Sequence, residues 1–324
     1  MDALRALAML YIVGFWHPLA ASHLCGDMFY NSATILLSFC FLGLFCFISG
    51  YLISKQQQAG FGNAREVARF YGRRLVRLYP LYLLACIAFY ATGMIPKADF
   101  MAGVFLSGAV RNINIMTLWF VNVIIICYLL TPLLLFRFQM KRNFWLSLGM
   151  YAAMVVLSRE RCIDPHLAHY FVVYAAGILL GQSAHAQEWL RRHGWKLLPV
   201  FVIVGWLAMN KQLIHGKNLR FVLTDVAVLS SMPLMLVLGR GLTRILPARL
   251  IGFISYSSFV LYLFHRFAFG RGHAYYFPQA VVPLVLYDVG VLLPLSIALA
   301  YGIQAAYDAT LSIFEKSRTG RSLG

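Results

Sequence analysis

Residues 31–54 read NSATILLSFCFLGLFCFISGYLIS, a nearly continuous apolar run. A half-buried strand would alternate polar and apolar side chains, and a helix on a soluble protein would keep a polar stripe. This run does neither, and its length suits the roughly 20 residues a helix needs to cross a bilayer core. Comparable blocks lie on either side of it, at 3–22, 79–95, 117–136, 143–158, 167–184, 197–210, 219–238, 250–269 and 281–307. With their connections these blocks use up the 324 residues of the chain. The predicted fold class is therefore all-α, a polytopic transmembrane helix bundle of about ten helices. It forms one membrane domain over residues 1–324, with no fused soluble domain. The first block starts directly after Met1 and carries Arg5, which reads as a retained helix rather than a cleaved signal peptide.

Composition points the same way. Hydrophobic residues make up 61% of the chain and charged residues 12%, against about 25% charged in soluble domains. The formal net charge is +17. On a soluble protein that would suggest nucleic acid, but here the basic residues are scattered between apolar blocks, so no nucleic-acid partner is expected. Lys and Arg gather instead in alternate connections: Lys55, Arg65, Arg69, Arg73, Arg74 and Arg77; Arg137, Lys141 and Arg142; Arg191, Arg192 and Lys196; Arg240, Arg244 and Arg249. The positive-inside bias puts those connections, and both termini, in the cytoplasm, with an even number of crossings.

Segment 55–78 is the one long cytoplasmic connection. Val67, Phe70, Tyr71, Val76 and Leu78 form an apolar face opposite its arginines. It reads as a basic amphipathic helix on anionic lipid, as a phosphate-binding surface, or as both. Cys40, Cys46, Cys86 and Cys127 lie in apolar blocks as small core residues. Cys25 and Cys162 fall in short loops on one side, where they could pair. The six cysteines show no metal-ligand spacing, so no metal is expected.

An ionisable group at the centre of a span costs roughly 3 kcal/mol or more, so each one inside a block is a functional candidate. The blocks hold Arg5, His17, His169, Asp225, His265, Arg266 and Asp288, with Asn122 as a polar insertion near Trp119. At 1.5 Å per residue, His17 lies about 18 Å along the helix axis from Arg5. Arg5 then sits at the cytoplasmic edge and His17 beyond the midplane. A histidine there can act as general base on a hydroxyl, because imidazole exchanges a proton near neutral pH. It can equally serve as a hydrogen-bonded link between helices. Asp225 and Asp288 read as structural partners of Arg or His inside the bundle.

Five short strings occur in a fixed order. The first is Asp2-Ala-Leu-Arg5-Ala-Leu-Ala8, leading to His17. The second is Phe45-Cys-Phe-Ile-Ser49-Gly50-Tyr51-Leu-Ile53. The third is Phe70-Tyr-Gly-Arg73-Arg74-Leu-Val-Arg77-Leu-Tyr79-Pro80-Leu-Tyr82. The fourth is Leu118-Trp119-Phe120, followed by Tyr128-Leu-Leu-Thr-Pro132. The last is Ser255-Tyr256-Ser257, leading to Leu261-Tyr262-Leu-Phe-His265. Together they resemble the acyltransferase-3 family of integral-membrane O-acyltransferases, across nearly the whole chain.

The resemblance implies a multi-pass protein of the bacterial cytoplasmic membrane that moves an acyl group, usually acetyl, from coenzyme A. The receiver is a hydroxyl of a glycan, glycolipid or related acceptor on the far side. Acetyl-CoA is then a co-substrate and no cofactor is permanently bound. Implied partners are acyl-CoA, the acceptor, membrane lipids and glycan-assembly proteins. The family's essential basic residue and histidine carry over to Arg5 and His17. Its cytoplasmic basic element carries over to Arg74 and Arg77, with Arg73 beside them. On this reading the arginines clamp the phosphates of coenzyme A and Arg5 stands at the pore mouth. His17 then either deprotonates the acceptor hydroxyl or carries the acyl group itself. Trp119, Asn122, Tyr262 and His265 are the candidates for the acceptor cleft, since aromatic rings suit the apolar faces of a sugar.

One spacing departs from the family. Eleven residues separate Arg5 from His17 where the pattern has ten, so Trp16 occupies the family position. In an α-helix the family spacing leaves the pair about 20° apart and this spacing about 120° apart. A π-bulge near Gly14 would absorb the extra residue, and Pro18 already removes a backbone bond from this turn. Without a bulge the two side chains face different ways. The competing readings are a glycolipid or small-anion transporter or flippase without acyl transfer, and a non-catalytic subunit of a glycan-assembly complex. Pro132, Pro233 and Pro294 offer helix breaks for a transporter but show no matched halves.

Overall fold

The computed structural model describes residues 1–20, 24, 29–111, 113 and 115–320. Among them the chain is helical and has no strand, only an isolated bridge between Phe61 and Phe136. In chain order the helices are α1 Asp2–Tyr11, which runs on into a π-helical segment Ile12–Ala20, then α2 Ser32–Gln56, α3 Ala64–Ala91 and α4 Lys97–Val104. They continue with α5 Trp119–Leu135, α6 Met140–Arg159, α7 Pro165–Gln182, α8 Ala184–His193 and α9 Leu197–Met209. The last are α10 Lys217–Ile245, α11 Ala248–Tyr275, α12 Val281–Tyr287, a second π-helical segment Asp288–Leu292, and α13 Leu293–Gly320. The Cys25–Cys162 pairing considered from the sequence falls at Cys25 outside the described residues.

Among the described residues six helical stretches are long and apolar enough to cross a membrane, Ser32–Gln56 and Ala248–Tyr275 included. The count rises to seven if the pair Pro165–Gln182 and Ala184–Met209, bent by 106°, is one span. The sequence blocks 167–184 and 197–210 are the two arms of that bent pair. At 13 residues α9 is about 20 Å long, short of a core roughly 30 Å thick. Block 143–158 forms α6, whose start carries Lys141, Arg142 and Asn143. The first block is divided between two windings, α-helical to Tyr11 and π-helical after it. These features reduce the count that length and composition support. The chain is a multi-pass membrane protein all the same.

The basic connection and the third block form a single helix. Asn63 caps α3 by accepting from the Glu66 amide, and the helix runs through Pro80 to Ala91. Composition changes midway, from basic before Tyr79 to apolar after it, while the winding continues.

The chain packs as two compact units, one of Met1–Tyr30 with Arg240–Gly324 and one of Asn31–Gly239. In the first, α11 packs against both α1 and α13. In the second, α2 packs mainly on α7, with α5 and α6 also against α7. The start of α2 follows from local chemistry. The Asn31 side chain accepts from the amides of Ala33 and Thr34, and the Asn31 amide donates to Thr34 Oγ1 at 3.1 Å. This satisfies amide groups that lipid could not solvate. Helix α2 then lies close on α7 because each contributes a glycine at the crossing. A Cβ on Gly50 would strike the Tyr174 carbonyl, and one on Gly177 would strike the Phe47 carbonyl. Such small residues let dispersion contacts, the chief attraction between helices in lipid, act at short range.

Candidate active site

The first unit joins the first and last sequence strings. Ser255 Oγ donates to Asp2 Oδ1 at 2.9 Å, and Asp2 Oδ1 also takes Arg5 at 3.4 Å. Further along both helices, His17 Nδ1 meets His265 Nε2 at 2.6 Å. The two contacts come in the same order along α1 and α11, so these helices run parallel. The imidazole planes are 16° apart with centroids at 4.6 Å, which suits an N–H directed in the ring plane. His265 is buried, and its Nδ1 lies 2.7 Å from the Tyr262 carbonyl one turn earlier. His17 is half-buried.

The π winding decides which side chain of the first helix reaches this place. It runs over Ile12–Ala20 and includes both Gly14 and Pro18. A π turn winds by less than about 100° per residue, so over this segment it offsets the extra residue between Arg5 and His17 that a plain α-helix would carry round to about 120°. His17 turns toward His265. Trp16, which holds the family position by count, stacks instead on Tyr30 with centroids at 5.5 Å. Next to His265 in the chain, Arg266 has a buried Nε without a hydrogen-bond partner among the described residues. Elsewhere in this unit buried Asp288 pairs with His273 at 2.7 Å.

The second unit gathers the other three strings. Arg74 lies over the rings of Phe70 and Tyr128, 5.7 and 5.4 Å from their centroids, and donates to Gln56 Oε1 at 3.4 Å. The Tyr128 hydroxyl is 3.1 Å from Ser49 Oγ. Tyr71 fixes the same turn of α3 by donating to the Leu129 carbonyl at 2.7 Å. Phe61, held by its bridge to Phe136, packs edge-on against Phe70. A guanidinium over two aromatic faces is oriented without being neutralised. Arg73 and Arg77 do not share this place. They are exposed, and with Arg65 and Arg69 they form a stripe at four-residue intervals. Tyr128 was legible only as part of a motif, with no role attached to it.

Of the acceptor-cleft candidates, Trp119 and Asn122 lie in the second unit and Tyr262 and His265 in the first. Asn122 is fully buried and accepts from the Tyr82 hydroxyl at 3.1 Å, while its Nδ2 has no hydrogen-bond partner among the described residues. Trp119 is partly exposed and lies against His166, ring centroids 4.3 Å apart. His166 is in turn 2.7 Å from Asp164. Burial is the largest influence and would raise the Asp164 carboxyl, but the hydrogen bonds and charge of His166, with the charge of His169, together hold the group below its ordinary value. Asp225 bonds to His169 and accepts from the Tyr151 hydroxyl at 2.5 Å, which gives this membrane carboxylate two partners. The sequence offered no direct sign of Tyr151, which is far from Asp225 in the chain.

A family model described as an acyltransferase domain, that of the acyltransferase-3 family, matches residues 1–304. The chain belongs to the acyltransferase-3 family. It is a membrane acyltransferase, and the match takes in every string quoted above. Comparison with curated proteins and with solved structures gave no match.

Proposed function

We propose that this acyltransferase moves an acetyl group from acetyl-CoA to a hydroxyl of a glycan or glycolipid in the bacterial cell envelope. The observation that carries the reading is the bonded pair of His17 and His265, a proton-exchanging group built into a membrane helix. A histidine in that setting is costly unless it has a task. His17 takes the proton of the acceptor hydroxyl, and the oxygen attacks the thioester carbonyl carbon. The C–S bond breaks, and the departing thiolate receives the proton from His17. The ester and free coenzyme A are the products.

Arg74 binds a phosphate of the acyl donor, since its guanidinium is oriented by aromatic faces and has no carboxylate partner among the described residues. Arg73 and Arg77 add long-range attraction for the polyanion from the exposed stripe. Arg74→Ala is expected to raise KM for acetyl-CoA by roughly 10-fold or more, the value of one charge-assisted hydrogen bond, with a smaller change in kcat. Arg73→Ala is expected to change KM less. An equal effect of the two substitutions would remove the special place given to Arg74.

The full topology we infer has about ten crossings and cytoplasmic termini. The distribution of Lys and Arg supports it, as does the parallel course of α1 and α11, which requires both to cross in one direction. Reporters fused at the two ends are both expected to read out in the cytoplasm, and either one on the far side would refute this topology. The function itself is tested by incubating membranes holding the protein with acetyl-labelled coenzyme A. Label is expected in the glycan or lipid fraction. Folded protein that transfers no label to any fraction of its native envelope would refute the acetyl assignment.

A further inference from the structure

The two short contacts made by His265 leave the pair one assignment of protons when both rings are neutral. The Tyr262 carbonyl can only accept, so His265 Nδ1, 2.7 Å away, carries a hydrogen. A neutral imidazole has one N–H, and His265 Nε2 is therefore bare. It lies 2.6 Å from His17 Nδ1, so the hydrogen between them belongs to His17. That fixes the second ring in turn: His17 carries its proton on Nδ1 and presents an unshared electron pair at Nε2. A cationic His265 would donate at both nitrogens and reverse the result. It would also set a second positive charge beside Arg266 within a membrane helix, an arrangement that apolar surroundings oppose.

We propose that His265 is a positioning residue whose accepting nitrogen makes Nε2 of His17 the atom that takes the hydroxyl proton. This replaces the acceptor-cleft role that the sequence suggested for His265, and it rests on the acyl-transfer reading of His17. The geometry follows the logic of a nucleophile–base–orienter triad, with a backbone carbonyl as the outermost anchor in place of a carboxylate. The anchor also explains the pattern Tyr262-Leu-Phe-His265. A three-residue step on an α-helix brings an imidazole over the carbonyl of the turn below, so one short stretch supplies both orienter and anchor.

The test separates this inference from the function it serves. Protein labelled with ¹⁵N-histidine is reconstituted in lipid and studied by solid-state NMR, and the His17 signals are identified by their loss in His17→Gln. The expected wild-type spectrum has His17 protonated at Nδ1 and bare at Nε2. In His265→Ala the proton is expected to move to Nε2, the tautomer a free imidazole side chain prefers. Acyl transfer is expected to fall on the order of 100-fold in kcat, with KM for the acyl donor unchanged. In His265→Gln the amide oxygen can accept from Nδ1–H, so both the spectrum and part of the activity should return. If His265→Ala does not fold, the wild-type and His265→Gln spectra still decide the matter. A wild-type His17 protonated at Nε2, or a His17 tautomer indifferent to both substitutions, overturns the proposal. Correct spectra in a protein that transfers no acyl group would leave the proton arrangement standing and refute the functional reading alone.

Discussion

Replacing His17 with alanine is expected to abolish acyl transfer while the protein remains folded. The side chain is half-buried, and its hydrogen bond joins one helix pair that a second contact, Asp2 to Ser255, also holds. On the proposed mechanism its loss removes the acceptor of a hydroxyl proton, and general-base catalysis of that kind is worth about 10²–10⁴ in rate. The effect should fall on kcat and leave KM for acetyl-CoA near its wild-type value, because the cationic contacts to the donor are assigned to Arg74 on another helix. Steady-state assays with labelled acetyl-CoA, at matched amounts of folded protein, measure both. Trp16→Phe serves as the control: Trp16 is one residue away and stacks on Tyr30, so most activity should survive. Transfer at the wild-type rate in His17→Ala would move the chemistry off this residue.

The second large effect concerns the fold. Gly177→Val is expected to prevent assembly of a stable second unit. Its Cβ alone would sit on the Phe47 carbonyl and 3.0 Å from the Tyr51 amide nitrogen, both backbone atoms that no side-chain rotation can clear. Helix α7 would have to move off α2, and the Ser54 hydroxyl, which donates to the Ile178 carbonyl at 2.8 Å, would lose its partner. Overpacking alone costs about 1–3 kcal/mol, and a buried hydroxyl without a partner adds about 1–3 kcal/mol. Together these approach the whole stability of a small unit. Fluorescence size-exclusion and thermal scanning of the purified variant should show aggregation or a large fall in Tm. Gly149→Ala, where the added carbon meets nothing within 4 Å, should behave as wild type. A monodisperse Gly177→Val protein with an unchanged Tm would show that the α2–α7 crossing is not what holds the unit together.

Much of this architecture was legible from the sequence because lipid enforces it. A chain that cannot hydrate its amides in a bilayer must coil, so apolar blocks such as 31–54 became helices close to where they were expected. Boundaries that depend on surroundings were harder to see. The basic stretch before Tyr79 and the apolar stretch after it are one helix, since Pro80 removes a single backbone bond without stopping α3. In the site, His17 and Arg74 could be nominated from motifs, and the need for a bulge followed from a count of residues. Their neighbours could not. His265 is 248 positions from His17, and no local pattern reports a contact of that range. Asn122 drew notice as a polar residue in an apolar run, but its partner Tyr82, 40 positions away, could not be read from the sequence; the Asn122 oxygen accepts from that hydroxyl while its Nδ2 is left without a partner among the described residues.

The π-helical turn of the first helix has a consequence for how such proteins vary. Loss of one codon between Ile12 and Trp16 would let ordinary α-helical winding return and carry the histidine back to nearly the same bearing. This chain has the longer spacing, and its extra residue lies with a π-helical segment. On the proposed mechanism, a variant shortened by one residue in this turn is therefore expected to keep activity. A sequence pattern written as a fixed interval counts residues, whereas a proton transfer depends on a direction in space.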